Sequence, residues 1–264
     1  MKAAFWQVDA FAEKRFAGNP AAVMLLPHWP EDGLMQQVAA ENNLSETAFI
    51  VREPAGWRIR WFTPKVEVDL CGHATLAAGW VVLNHLEQGE QVVFASKSGA
   101  LPVERQDQRL VLDFPAMPPR STIFPDGIEA VLAKPVREVL STSDHLLCVL
   151  DSADAVRSLV PNMAAVAGLN KRALIVTAPG DRDQGGDCDF VSRFFAPRKG
   201  VIEDPVTGSA HCVLTPFWAK RLGQDAMVAR QLSARGGILW VEQAGPRVRI
   251  AGHVVPYVNG AAEI

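Results

Sequence analysis

The sequence repeats itself, and this restricts its fold more than any other feature does. Gly99-Ala-Leu-Pro-Val-Glu-Arg-Gln-Asp-Gln-Arg-Leu-Val-Leu112 returns as Gly237-Ile-Leu-Trp-Val-Glu-Gln-Ala-Gly-Pro-Arg-Val-Arg-Ile250, an offset of 138 residues. Gly99/Gly237, Leu101/Leu239, Val103/Val241, Glu104/Glu242 and Arg109/Arg247 are identical across the two copies. Both alternate apolar and polar residues around a polar turn, which is the pattern of a β-hairpin. Arg60-Trp-Phe-Thr-Pro64 also returns as Arg193-Phe-Phe-Ala-Pro197, and Gly72-His-Ala74 as Gly208-Ser-Ala210. Three matches in one order, with an offset growing from 133 to 138 residues, indicate a duplication followed by small insertions.

Each half then reads alike: short β-rich runs, a Phe-x-Pro strand end, an irregular polar stretch, a small-residue turn, a long helix and a hairpin. The long helices are expected over Ala74–Leu86 and Ser209–Leu222, both mostly apolar and so suited to a central position wrapped by strands. A further helix over Glu31–Asn43 precedes a strand at Thr47–Val51. Phe114–Pro125 carries four prolines in twelve residues, which disfavours regular structure and puts the crossover between domains at 114–125. The expected domains are 1–115 and 125–264.

With 48% hydrophobic and 21% charged residues in 264, the chain has enough apolar material for a substantial core. Its 26 Lys and Arg nearly balance 29 Asp and Glu, so nothing broadly basic marks a nucleic-acid or anionic-membrane partner, and a small molecule is the expected one. An acidic residue arrives at Asp9, too early for a secretory apolar region, and no later run is long enough to span a membrane; a cytoplasmic location is expected. Cys71, Cys148, Cys188 and Cys212 form no C-x-x-C pair, which argues against a structural zinc site or disulfide framework and for free thiols. G-x-G-x-x-G and P-loop spacings are absent, and Thr207-Gly-Ser-Ala-His211 lacks the G-x-S-x-G elbow of a serine hydrolase. No cofactor or metal is expected.

The candidate chemistry gathers where the repeated helices begin. Gly72-His73 and Gly208-Ser209 present first-turn N–H groups that an anion can approach closely, or the glycines serve only as tight turns into buried helices. Beside them stand Cys71 and His73 in the first half, and Glu203 and Asp204 in the second. A carboxylate facing an imidazole is a usual proton-transfer arrangement; His73 as a structural residue and Asp204 as a helix cap are the plainer readings. Glu46 opens a hydrophobic strand, where it is either solvated at an edge or desolvated into the working range of a general acid or base.

Taken together, Val8-Asp-Ala-Phe11, Phe16-Ala-Gly-Asn-Pro-Ala-Ala-Val23, Leu44-Ser-Glu-Thr-Ala-Phe49, Phe62-Thr-Pro64, Asp69-Leu-Cys-Gly-His-Ala-Thr75 and Glu203-Asp-Pro-Val-Thr-Gly-Ser-Ala-His211 resemble the PhzF family of phenazine-biosynthesis isomerases. That family shares its fold with diaminopimelate epimerase and proline racemase. The resemblance implies an α+β fold of two pseudo-symmetric domains, each a barrel-like sheet around a central helix, with the site in the cleft between them. It also implies a homodimer and a cofactor-free proton transfer, with Glu46 as the shuttle, His73 and Asp204 assisting, and Gly72 and Ser209, joined by Gly208 and Cys71, lining the site of a small, anionic substrate. The epimerase relatives use two cysteines. Here Cys71 fills one place, while its second-half counterpart is Asp204 or Thr207, so a one-thiol epimerase using Cys71 and Asp204 is an alternative. A non-catalytic small-molecule-binding protein on the same fold is another.

Overall fold

The computed structural model describes residues 1–182 and 186–264, and the chain divides into two compact units. The first comprises Met1–Asp113 with Ile250–Ile264, the second Phe114–Arg249. The first unit contains β1 (Lys2–Ala10), β2 (Asn19–Leu26), α1 (Asp32–Asn42), β3 (Glu46–Glu53), β4 (Gly56–Phe62), β5 (Glu67–Val68), α2 (Gly72–Val81), β6 (Gln91–Ser96), β7 (Gly99–Gln106) and β8 (Arg109–Pro115). The second runs through β9 (Arg120–Ser121), α3 (Ile128–Leu132), β10 (Glu138–Ser141), β11 (His145–Val149), α4 (Ala153–Arg157), α5 (Met163–Gly168), β12 (Ala173–Pro179), β13 (Phe190–Ala196), β14 (Val201–Asp204), α6 (Gly208–Leu222), β15 (Ala226–Gln231), β16 (Gly237–Ala244) and β17 (Arg247–Gly252). The chain ends in β18 (Val254–Glu263), back in the first unit.

The two units repeat one strand plan. In the first, β1 pairs antiparallel with β2, β2 parallel with β3, β3 antiparallel with β4, β4 parallel with β6 and β6 antiparallel with β7. In the second, β10, β11, β12, β13, β15 and β16 follow each other in the same sequence of senses. Val103 on β7 and Val241 on β16 therefore hold corresponding places, as the repeated hairpins require. The architecture is α+β, with a mixed sheet in each unit and one buried helix at its heart.

That helix is central because its composition leaves no polar face. Every α2 residue from His73 to Gly79 is buried, and α2 packs against β1, β2, β3 and β7 together. Small residues let the strands come close: a Cβ on Gly79 would stand 2.6 Å from Val103 Cγ1. The helix expected over Ala74–Leu86 begins two residues earlier, and its last turn, Val82–Leu86, widens into a π-helix. In the second unit α6 spans Gly208–Leu222, packs on β15 and β16, and stops at Gly223, whose φ of 70° and N–H bond to the Ala219 carbonyl form a left-handed cap. Outer helices close each sheet from the other side. Met35 and Ala39 of α1 meet Met24, Phe49 and Phe62, while Leu132, Val156 and Val166 of α3, α4 and α5 meet Leu146, Leu174 and Val176.

One polar device was also duplicated. Arg60 forks onto Glu67 through Nε and Nη2 at 2.8 and 2.9 Å and lies over the Phe62 ring; Arg193 forks onto Glu203 at 2.7 and 2.9 Å and lies over Phe195. The Arg60 guanidinium holds the Glu67 carboxyl down at about 2. Glu203, which the sequence offers as a titratable neighbour of the site, is thus engaged by Arg193.

The division of the chain departs from the expected one at both edges of the second domain. The second unit begins at Phe114, not 125, because β9 inside the proline-rich stretch pairs with β10, Ser121 opposite Leu140. Residues 250–264 belong to the first unit, not the second, because β18 pairs antiparallel along the whole of β1, from Lys2 opposite Glu263 to Ala10 opposite Val254. The repeats end at Ile250, so they carried no information about this last strand.

Candidate active site

In the first unit, three expected residues come together and a fourth joins them. Glu46 opens β3 beside Ala21 of the parallel strand β2, and His73 is the second residue of α2. Their Oε2 and Nε2 atoms lie 3.2 Å apart, with the imidazole buried and the carboxylate nearly so. On the ring's other side, Nδ1 is 3.5 Å from Cys71 Sγ and 3.3 Å from Asn19 Nδ2. An amide nitrogen can only donate, so Nδ1 accepts and the ring's single hydrogen sits on Nε2, facing Glu46. Burial pushes the His73 imidazole down to about 3, which keeps it neutral at physiological pH.

Asn19 carries no spacing signal in the sequence, though the residue before it does. Gly18 has φ +67°, and a Cβ there would stand 2.2 Å from the Ala10 carbonyl oxygen, so only glycine makes the turn that starts β2 with Asn19 pointing inward.

Glu46, Cys71 and His73 also have ligand atoms within 4.8 Å of one another.

In the second unit, Asp204 ends β14, and Gly208 and Ser209 open α6, with Gly208 buried and Ser209 exposed. Thr207 is the residue that precedes α6, as Cys71 precedes α2, so the second-half counterpart of Cys71 is Thr207. Its hydroxyl donates to Asp204 Oδ2 at 2.5 Å. Its N–H donates to the buried Gln231 Oε1 at 2.9 Å, a contact that sequence reasoning missed because a glutamine at a strand end has no motif. All four cysteines are free thiols. Burial pushes Cys148 and Cys212 up to about 12 and Cys188 up to about 11, leaving them unreactive.

The sequence pattern of the PhzC-PhzF family, described as phenazine biosynthesis-like protein, matches residues 8–260. This chain belongs to the PhzF family. An uncharacterized isomerase of Pseudomonas aeruginosa is 54% identical to this family member over 98% of both chains. A PhzF-family crystal structure from Enterococcus faecalis is 42% identical, covers 100% of both chains and superposes with a TM-score of 0.95. A predicted epimerase from P. aeruginosa, 24% identical over 99% of each chain, shares the fold with a TM-score of 0.70. The PhzF-family chain is thus isomerase-like at the level of its family. Among its described residues, no helix is long and apolar enough to cross a membrane.

Two of the buried histidines, His73 and His211, set an acid response. His211 is wholly buried on α6, donates from Nδ1 to the Thr207 carbonyl at 2.8 Å, and burial lowers it to about 4. His73 and His211 are neutral when folded but take protons near pH 6.5 when unfolded, so stability present above that pH falls as pH drops below it. Between pH 6.5 and 5, above the range where carboxylates titrate, each should cost roughly 1.4 kcal/mol per pH unit. Urea midpoints measured across this window should fall steadily; a flat profile would refute neutral burial.

Proposed function

We propose that this PhzF-family chain is a cofactor-independent isomerase that moves a proton within a small carboxylate-bearing substrate, with Glu46 as the carrier. The observation that carries the reading is the 3.2 Å approach of Glu46 to a buried, neutral His73. In this reading the neutral imidazole stands against one carboxylate oxygen, leaving the other to take a proton from one substrate carbon and return it to another. Asn19 keeps the ring in the tautomer that makes this possible. Asp204 orients and balances charge at the substrate. Gly72, at the first turn of α2 beside His73, is a candidate N–H donor for an anionic substrate, and Gly208 and Ser209, at the first turn of α6, are further candidate binding residues. The substrate's own conjugation spreads the developing charge, so the step needs no further electron sink.

The 3.5 Å contact between Cys71 Sγ and His73 Nδ1 favours a second reading, in which a Cys71 thiolate acts with Asp204 as a one-thiol epimerase. The two are separated by following C–H signals of small carboxylic acids in deuterated buffer by proton NMR. The parent should exchange one carbon-bound hydrogen, and Cys71→Ser should keep most of that exchange. Loss of exchange in Cys71→Ser would transfer the role of base to the thiol.

A further inference from the structure

We propose that Gln231 positions the Asp204 carboxylate, acting through the Thr207 hydroxyl; its bearing on catalysis rests on the role given to Asp204 above. Gln231 is the last residue of β15 and is 0% exposed. A buried primary amide has to place two donors and an acceptor, and this one spends them on a single turn. Its Oε1 accepts the Thr207 N–H at 2.9 Å, and its Nε2 donates to the Asp204 carbonyl at 2.7 Å and to Thr207 Oγ1 at 3.2 Å. The two ends of Asp204-Pro205-Val206-Thr207 are thereby tied to one side chain. The hydroxyl of Thr207 has one hydrogen. With the glutamine amide donating to its oxygen, that hydrogen goes to Asp204 Oδ2, at 2.5 Å.

The duplication supplies an internal control. A serine beyond the strand end clamps the turn before the helix in both units: Ser98 Oγ donates to the Asp69 carbonyl and Ser233 Oγ to the Pro205 carbonyl, each at 2.8 Å. Holding a turn in front of a helix is therefore the inherited task of the serine. At the end of β6, where the second unit has Gln231, the first has Ser96, whose hydroxyl donates to Gly99 of its own hairpin at 2.8 Å. The glutamine stands in the unit whose turn ends in a threonine bonded to a carboxylate. Fastening the turn alone does not require an amide that also reaches the threonine hydroxyl.

The test reads Asp204 itself in the full chain, by carbon NMR of protein labelled at the aspartate carboxyls, with the Asp204 signal assigned by its loss in Asp204→Asn. Thr207→Val removes the hydroxyl and leaves the backbone bonds to Gln231; Gln231→Met removes the amide at similar volume. Each should raise the Asp204 titration midpoint by about one pH unit, because a hydrogen bond to the charged form is lost. Thr207→Ser should keep the parent midpoint, and the double variant should move no further than Thr207→Val. Glu203 stays paired with Arg193 in all of them, so its charge is common to every sample. An unmoved Asp204 midpoint in Gln231→Met, with a lowered melting temperature, would reduce Gln231 to a packing residue and overturn the proposal. Should Gln231→Met fail to fold, Thr207→Val decides alone, since an unmoved midpoint there leaves no hydroxyl for Gln231 to act through. If Asp204→Asn retains full substrate exchange while Thr207→Val still shifts the titration, the catalytic reading of Asp204 fails and the positioning stands.

Discussion

Glu46→Gln should fold as the parent does, bind small carboxylates about as well, and lose roughly two orders of magnitude or more in turnover. The amide has the carboxylate's shape and keeps an atom of similar size at the position now 3.2 Å from His73 Nε2, so the packing of the buried pair is preserved. What it lacks is the ability to take up a proton at neutral pH. Loss of activity should therefore appear in kcat with little change in KM, and carbon-bound hydrogen exchange with deuterated solvent should vanish together with turnover. Exchange that survives in Glu46→Gln would mean that another group is the base.

The largest stability effect is expected at Arg193→Ala. Besides its fork onto Glu203, this guanidinium donates through Nη1 to the Leu159 carbonyl at 2.6 Å and the Val156 carbonyl at 3.3 Å, just beyond and within α4. Its side chain is only 12% exposed, and Glu203 22%. Truncation leaves a mostly buried carboxylate and the Leu159 carbonyl without the guanidinium that serves them, which costs about 3 kcal/mol. Scanning calorimetry should show the melting temperature lowered by roughly 6 to 12 °C. Arg193→Lys should recover only part of this, since an ammonium cannot fork onto both carboxylate oxygens. A change within about 0.5 kcal/mol of the parent would show that water already satisfies these groups.

Much of the architecture was legible because duplication writes the same local rules twice. Hairpins at Gly99 and Gly237 and helix starts at Gly72 and Gly208 are set by alternation, small residues and turns within a few positions of one another. Contacts assembled from distant segments were not legible. Asn19 meets His73 across 54 residues and Gln231 meets Thr207 across 24, and an amide at a strand end has neither periodicity nor charge to announce it. The return of β18 to β1 was hidden for a related reason, since strand partners are chosen by tertiary geometry and the repeat stops short of that segment. The open choice between Asp204 and Thr207 as the counterpart of Cys71 fell to Thr207 once the helix starts were known, because small insertions ahead of α6 had blurred the alignment.

That returning strand has a consequence for how the chain matures during synthesis. The second unit is one uninterrupted segment, 114–249, and it can fold as soon as it clears the ribosome. The first unit is split around it. β1 is made before the second unit, yet the partner that covers it from Lys2 to Ala10 is translated some 250 residues later. At 5–20 residues per second, that leaves a nascent β edge open for roughly 10 to 50 seconds. Over that interval β1 is a site for chaperone engagement or mispairing between neighbouring nascent chains, and variants weakening β18 should lower the yield of folded protein more than they lower the stability of molecules already folded.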